Sequence, residues 1–152
     1  SSLISVVEFY EKQFPRGEDR QALYRLWMDV CADMKDVACV YKVSKNIQGD
    51  SELKGIHEDA SVEQLAALED LNKSDKDGKY RSELIATLEK SVEKRGFRRW
   101  KDAATRLAGL YSADGQHEKA VRLSEEINQR YPSEEALYRL QSSRFQAKQY
   151  VE

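Results

Sequence analysis

The stretch KDAATRLAGLYSADGQHEKAVRLSEEINQRYP, Lys101 to Pro132, decides how this chain folds. Ala104, Leu107, Ala108 and Tyr111 recur at i, i+3, i+4 and i+7, the spacing that places side chains on one face of an α-helix. Gly115 follows, and glycine reaches the positive φ that a turn after a helix needs. Ala120 then marks a second helix, and Pro132 closes the stretch. Two antiparallel helices are expected, with Ala108 and Ala120 small enough to let them approach closely and with Leu107 and Tyr111 filling the space between them.

The flanking sequence reads as helices as well. Leu3, Val6, Val7, Tyr10 and Phe14 predict a first helix over about residues 3–14, stopped by Pro15-Arg16-Gly17. Leu23, Trp27, Val30, Met34, Val37 and Tyr41 then alternate by four and three, with no Gly or Pro between Gly17 and Gly49. Two readings stand here: one helix from Asp19 to Gln48, favoured by the unbroken stripe, or two helices broken near Asp33-Met34-Lys35, favoured by ordinary helix length. Residues 49–60 read as a loop. Ser61 and Gln64 have capping-box spacing and predict a helix start, carried on by Leu65, Leu68 and Leu71. A polar loop over Asn72 to Gly78 precedes a helix over about 79–94, with Leu84, Ile85, Leu88 and Val92 apolar, Lys94 and Arg95 in its last turn and Gly96 after it.

Composition agrees with this reading. Of 152 residues, 40% are hydrophobic and 34% charged, with seven Gly and two Pro, which favours long helices over strands and tight turns. The fold class is all-α: stacked antiparallel helical hairpins, as a solenoid or a bundle. One helical domain over 1–152 is expected, with N-terminal helices over 3–48, middle helices over 61–95 and the repeat-like part over 100–152. A net charge of −2 supplies no global field toward nucleic acid or anionic lipid. No apolar run reaches the roughly 18 residues of a membrane span, and no signal-peptide pattern opens the chain. Cys31 and Cys39 are eight apart, without a CxxC pattern or Cys/His companions, and read as two buried thiols of a reducing compartment. The expected location is intracellular, cytoplasmic or nuclear. The lack of an initiator Met suggests a fragment of a longer chain.

Counting from Lys101 as position one, Leu107, Ala108, Tyr111, Ala120 and Pro132 fall in the register of the tetratricopeptide repeat, which the stretch resembles. Ala104, Ser124 and Ile127 depart from the family's usual Trp, aromatic and Ala, and Trp100 is a candidate for the missing bulk. From Glu135, Tyr138, Ser142 and Phe145 fit the first helix of a next repeat, Gln141 departs where Leu is usual, and Lys148-Gln149-Tyr150 resembles the turn after it. The resemblance covers residues 101–152. In the hairpin reading, Leu26-Trp27 with Ala38 and Tyr41 resembles a half-a-TPR unit of RNA-processing scaffolds.

Such repeats bind proteins and do no chemistry, so the resemblance implies a non-catalytic interaction or scaffold module that holds a peptide or partner subunit. The side chains between the packing positions of the first repeat helix and its approach are the expected contacts: Arg98, Arg99, Asp102, Thr105, Arg106 and Gly109. Some family members clamp a chaperone's terminal carboxylate, but Asp102, Thr105 and Gly109 occupy those clamp positions here and only Arg106 fits. Lys90 to Arg106 carries seven cations against two acids, with Phe97 and Trp100 interleaved. That pattern grips an acidic peptide or, as the alternative reading, stacks and binds RNA. Asp75-Lys76-Asp77-Gly78 resembles part of a calcium loop, but its frames place Lys73 and Leu84, or Tyr80 and Ala86, where ligands or glycine belong, so a polar turn is expected. His57 and His117 have no nucleophile beside them, and the glycines are scattered singly. No enzyme, cofactor, metal, membrane or small-molecule substrate is expected.

Overall fold

The computed structural model describes residues 2–13 and 19–149, with the side chains of Ser2 and Leu3 left aside. Phe14, the Pro15-Arg16-Gly17 break and Tyr150 lie outside the described residues. Those described are all-α: α1 (Ser2–Gln13), α2 (Arg20–Asp33), α3 (Val37–Gly49), a 3-10 turn (Ser51–Ile56), α4 (His57–Ser74), α5 (Arg81–Glu93), α6 (Trp100–Ala113), α7 (His117–Arg130) and α8 (Glu134–Gln149). They form two compact units divided inside α5, between Leu84 and Ile85.

In the first unit α2 packs on α3, and α3 on α4. The chain breaks at Met34-Lys35-Asp36, which decides between the two readings of residues 19–48. Lys35 takes the left-handed conformation, φ 54°, its amide donating to the Ala32 carbonyl at 2.9 Å, while the Asp36 amide donates to the Cys31 carbonyl at 3.0 Å. These paired bonds satisfy carbonyls that the helix end would otherwise leave open. The Asp36 carboxylate then accepts the Cys39 amide at 3.0 Å and caps α3.

Of the four-three stripe, Trp27 enters the core and Leu23, Val37 and Tyr41 pack against it partly buried. Tyr24, Trp27, Met28 and Cys31 are buried from α2, and Val40, Val43, Ser44 and Ile47 from α3, whereas Met34 is 69% exposed in the turn. Cys31 and Cys39 are disulfide-bonded across this turn, their Cα atoms 5.6 Å apart. This corrects the reading of two separate thiols and removes the cysteine argument for a reducing compartment. No described helix is long and apolar enough to cross a membrane.

α4 begins four residues before the expected start. Leu53 and Ile56, within the 3-10 turn, and Ala60 are fully buried and hold this segment on the core, so the helix starts at His57. Ser61 is no cap: its hydroxyl donates to the His57 carbonyl at 2.8 Å inside the helix, and Gln64 bonds Gln48 of α3. At the other end the Asp75 carboxylate accepts the Asp77 and Tyr80 amides, each at 3.1 Å, and Gly78 takes φ 70°, giving a polar turn.

α1 is fastened through Arg20. Its guanidinium donates to Glu11 at 2.8 Å and pairs with Asp50 at 2.5 Å, while the Tyr24 hydroxyl donates to the same Glu11 oxygen at 2.6 Å. The two carboxylates raise the Arg20 guanidinium well above its ordinary value.

In the second unit α6 packs on α7, and α7 on α8. Gly115 sits at φ 74°, and the Gly115 and Gln116 amides return to the Ser112 and Tyr111 carbonyls at 3.1 and 2.8 Å. Ala104, Leu107, Ala108, Tyr111, Ala120 and Ile127 are buried. Trp100 is 1% exposed, donates its indole N–H to the Val92 carbonyl at 2.8 Å and carries the Arg130 guanidinium 3.9 Å above its ring. Ser133 caps α8, its hydroxyl accepting the Ala136 amide at 3.0 Å.

Candidate functional site

A groove of about 210 Å³ runs along the second unit between α6 and α8, with α7 beneath it. α6 contributes Thr105, Ala108, Gly109 and Ser112, and α8 contributes Tyr138, Arg139, Ser142 and Gln146. Ser124 and Ile127 form the floor from α7. The groove exists because its packing residues are small. Ala108 and Ala136 stand where longer side chains would meet, and Ser124, 4% exposed, faces Ser143 with hydroxyl oxygens 3.3 Å apart.

Gly109 is the informative residue. It lies in the interior of α6, is exposed, and a Cβ added there would meet nothing within 4 Å. Neither a turn nor a close helix approach calls for glycine. An interior glycine costs about 1 kcal/mol relative to alanine, so this position weakens α6 and returns only open space in the groove.

The walls are mostly neutral. Thr105, Ser112, Ser142 and Gln146 offer donors and acceptors, Tyr138 offers a ring that is 72% exposed, and Arg139 brings a cation already bridged to Glu135 at 2.8 Å. This lining offers both hydrogen-bond donors and acceptors with little net charge.

Of the six expected contacts, Thr105 and Gly109 line this groove. Asp102 precedes them at helical spacing, exposed and bridged to Arg99 at 2.8 Å. Arg98 and Arg99 are exposed in the approach to α6, and Arg106 is half-buried on α6 outside the groove lining. The α8 and α7 residues were missed because only folding brings them to α6, although Tyr138 and Ser142 were visible as repeat-register positions.

The basic segment is differently arranged than its composition suggests. Phe97 is 8% and Trp100 1% exposed, so neither ring is presented for stacking. Nearby, three acids, Glu89, Glu93 and Glu126, and three bases, Arg95, Lys119 and Arg122, line an open hollow of about 510 Å³, so its formal charges cancel. Arg95 lies 3.7 Å from Glu126. Tyr111 borders this hollow and donates to Glu89 at 2.5 Å; burial and that bond raise its hydroxyl above the ordinary tyrosine value. The imidazole of His57 is within 2.8 Å of the Asp50 carbonyl, and His117 is half-buried at the start of α7.

No protein-family model matches the chain, and no curated protein or solved structure matches it.

Proposed function

We propose that this chain is a non-catalytic protein-interaction module whose α6–α8 groove holds a peptide segment of a partner protein. The exposed, packing-free Gly109 carries the reading: it keeps a helix wall open at a stability cost of about 1 kcal/mol, which an occupied groove repays. The small floor residues and the neutral hydroxyl and amide lining support the same conclusion. The RNA reading of residues 90–106 has less support, because Phe97 and Trp100 are inside the unit and only its cations are presented.

The test is selection of peptides from a randomised display library on the whole chain, followed by titration against Gly109 variants. Gly109→Trp fills the groove and is expected to weaken selected peptides at least about tenfold, the loss of roughly 1.4 kcal/mol, while Gly109→Ala retains them. Failure to select any peptide, or equal binding by Gly109→Trp, refutes the assignment.

A further inference from the structure

We propose that the solvent face of α8 joins two copies of this chain as an antiparallel pair, through a stripe that shares only Tyr138 with the lining of the α6–α8 groove. α8 buries Ala136, Leu140 and Ser143 on one side. On the opposite side Glu134, Tyr138, Gln141, Phe145 and Lys148 follow one another by four, three, four and three, which confines them to a stripe about 80° wide. All five are exposed, Tyr138 by 72% and Phe145 by 63%, and Leu137 beside them by 47%. Two aromatic rings and a leucine on the outward face of one helix have no role in the core of their own unit.

The order of the stripe selects the occupant. Its residue types run acid, ring, amide, ring, base about Gln141, with Glu134 and Lys148 each seven residues away, Tyr138 three before and Phe145 four after. When a second α8 crosses antiparallel at Gln141, Glu134 meets Lys148 of the second copy at one end, and the same pair forms at the other. Tyr138 meets Phe145 twice, where aromatic pairs add to apolar burial. The two Gln141 amides meet on the two-fold axis, where each can donate to and accept from the other. A parallel pairing instead stacks Glu134 on Glu134 and Lys148 on Lys148, like against like. An acid at the start and a base at the end of α8 also suit its own dipole, but the exposed rings between them do not serve that purpose. A second copy satisfies rings and charges together.

The experiment is sedimentation equilibrium of the whole chain at low salt, with circular dichroism to confirm unchanged helix content. The chain is expected to dimerise reversibly. Glu134→Lys and Lys148→Glu are each expected to weaken dimerisation about tenfold, since each places like charges at both ends of the pair. The double variant E134K/K148E is expected to recover wild-type association, and an equimolar mixture of the two single variants to form a heterodimer stronger than either homodimer. A monomer at about 1 mM, a dimer indifferent to the single reversals, or a double variant no better than the singles overturns the proposal.

Discussion

Lys35 and Gly115 occupy the same station in two helix-ending turns: each is the left-handed residue whose amide returns three positions back, to Ala32 and to Ser112. The following amides, Asp36 and Gln116, return five positions back to Cys31 and Tyr111 at 3.0 and 2.8 Å. α2–α3 and α6–α7 are thus closed by the same hydrogen-bond device. In one the residue is glycine, at no steric cost. In the other it is lysine, whose Cβ crowds the backbone by about 1 kcal/mol.

Lys35→Gly is therefore expected to stabilise the chain by up to about 0.5 kcal/mol, the relief of that crowding being partly offset by the greater freedom of glycine when unfolded. Gly115→Ala is expected to destabilise by about 1 kcal/mol. Urea unfolding midpoints at constant slope measure both, and a lower midpoint for Lys35→Gly would contradict the turn.

Gly109→Ala is expected to raise stability by about 1 kcal/mol, because the added methyl meets open space and the helix gains a better former. Thermal melts read this as a higher Tm. An unchanged or lowered Tm would mean that the glycine is needed for packing.

Removing the cation at the α1 junction is expected to cost more. Arg20→Met leaves Glu11 and Asp50 without their shared guanidinium, and these side chains are only 31% and 26% exposed. A loss of about 2 kcal/mol follows, below that of a fully buried pair because water still reaches both acids. Denaturant titration checks it.

Stability is also expected to fall on the alkaline side. Burial, followed by the hydrogen bond to Glu11, pushes the Tyr24 hydroxyl up to about 12, and Tyr111 is raised for the same kind of reason beside Glu89. An unfolded tyrosine titrates near 10, about the model-peptide value, so the folded chain holds these protons more tightly. Their contribution is complete below that pH and is lost as pH rises through about 12 for Tyr24. Asp50 acts in the opposite sense: its bond to Arg20 lowers its carboxyl, so its contribution is lost only as pH falls below the ordinary carboxylate range. Tm measured across the alkaline limb should decline, and Tyr24→Phe should flatten that decline.

Much of this architecture is legible in local sequence. The Gly115 turn and the core positions Leu107, Ala108, Tyr111 and Ala120 follow from helical periodicity and one glycine. The α2–α3 turn was ambiguous because Lys35 does what glycine usually does, and a stripe of four-three spacing ran across it without a break. Ser61 failed as a cap because burial of Leu53, Ile56 and Ala60, a tertiary effect, moved the helix start to His57. The cysteines were misread for a related reason: eight residues is a long separation along one helix, but a short one across a hairpin. Half of one groove wall, Thr105 and Gly109, was legible as outward positions of α6, whereas Ser124, Ile127, Arg139 and Gln146 join it only through the packing of α7 and α8.

The central claim is that the groove between α6 and α8 receives a peptide, and amide chemical-shift mapping of the whole chain with a library-selected peptide tests it most directly. The expected result is a saturable set of shifts centred on Thr105, Gly109, Ser112, Ser142 and Gln146. Shifts centred instead on Lys90 to Arg99, with the groove amides unmoved at saturation, would contradict it.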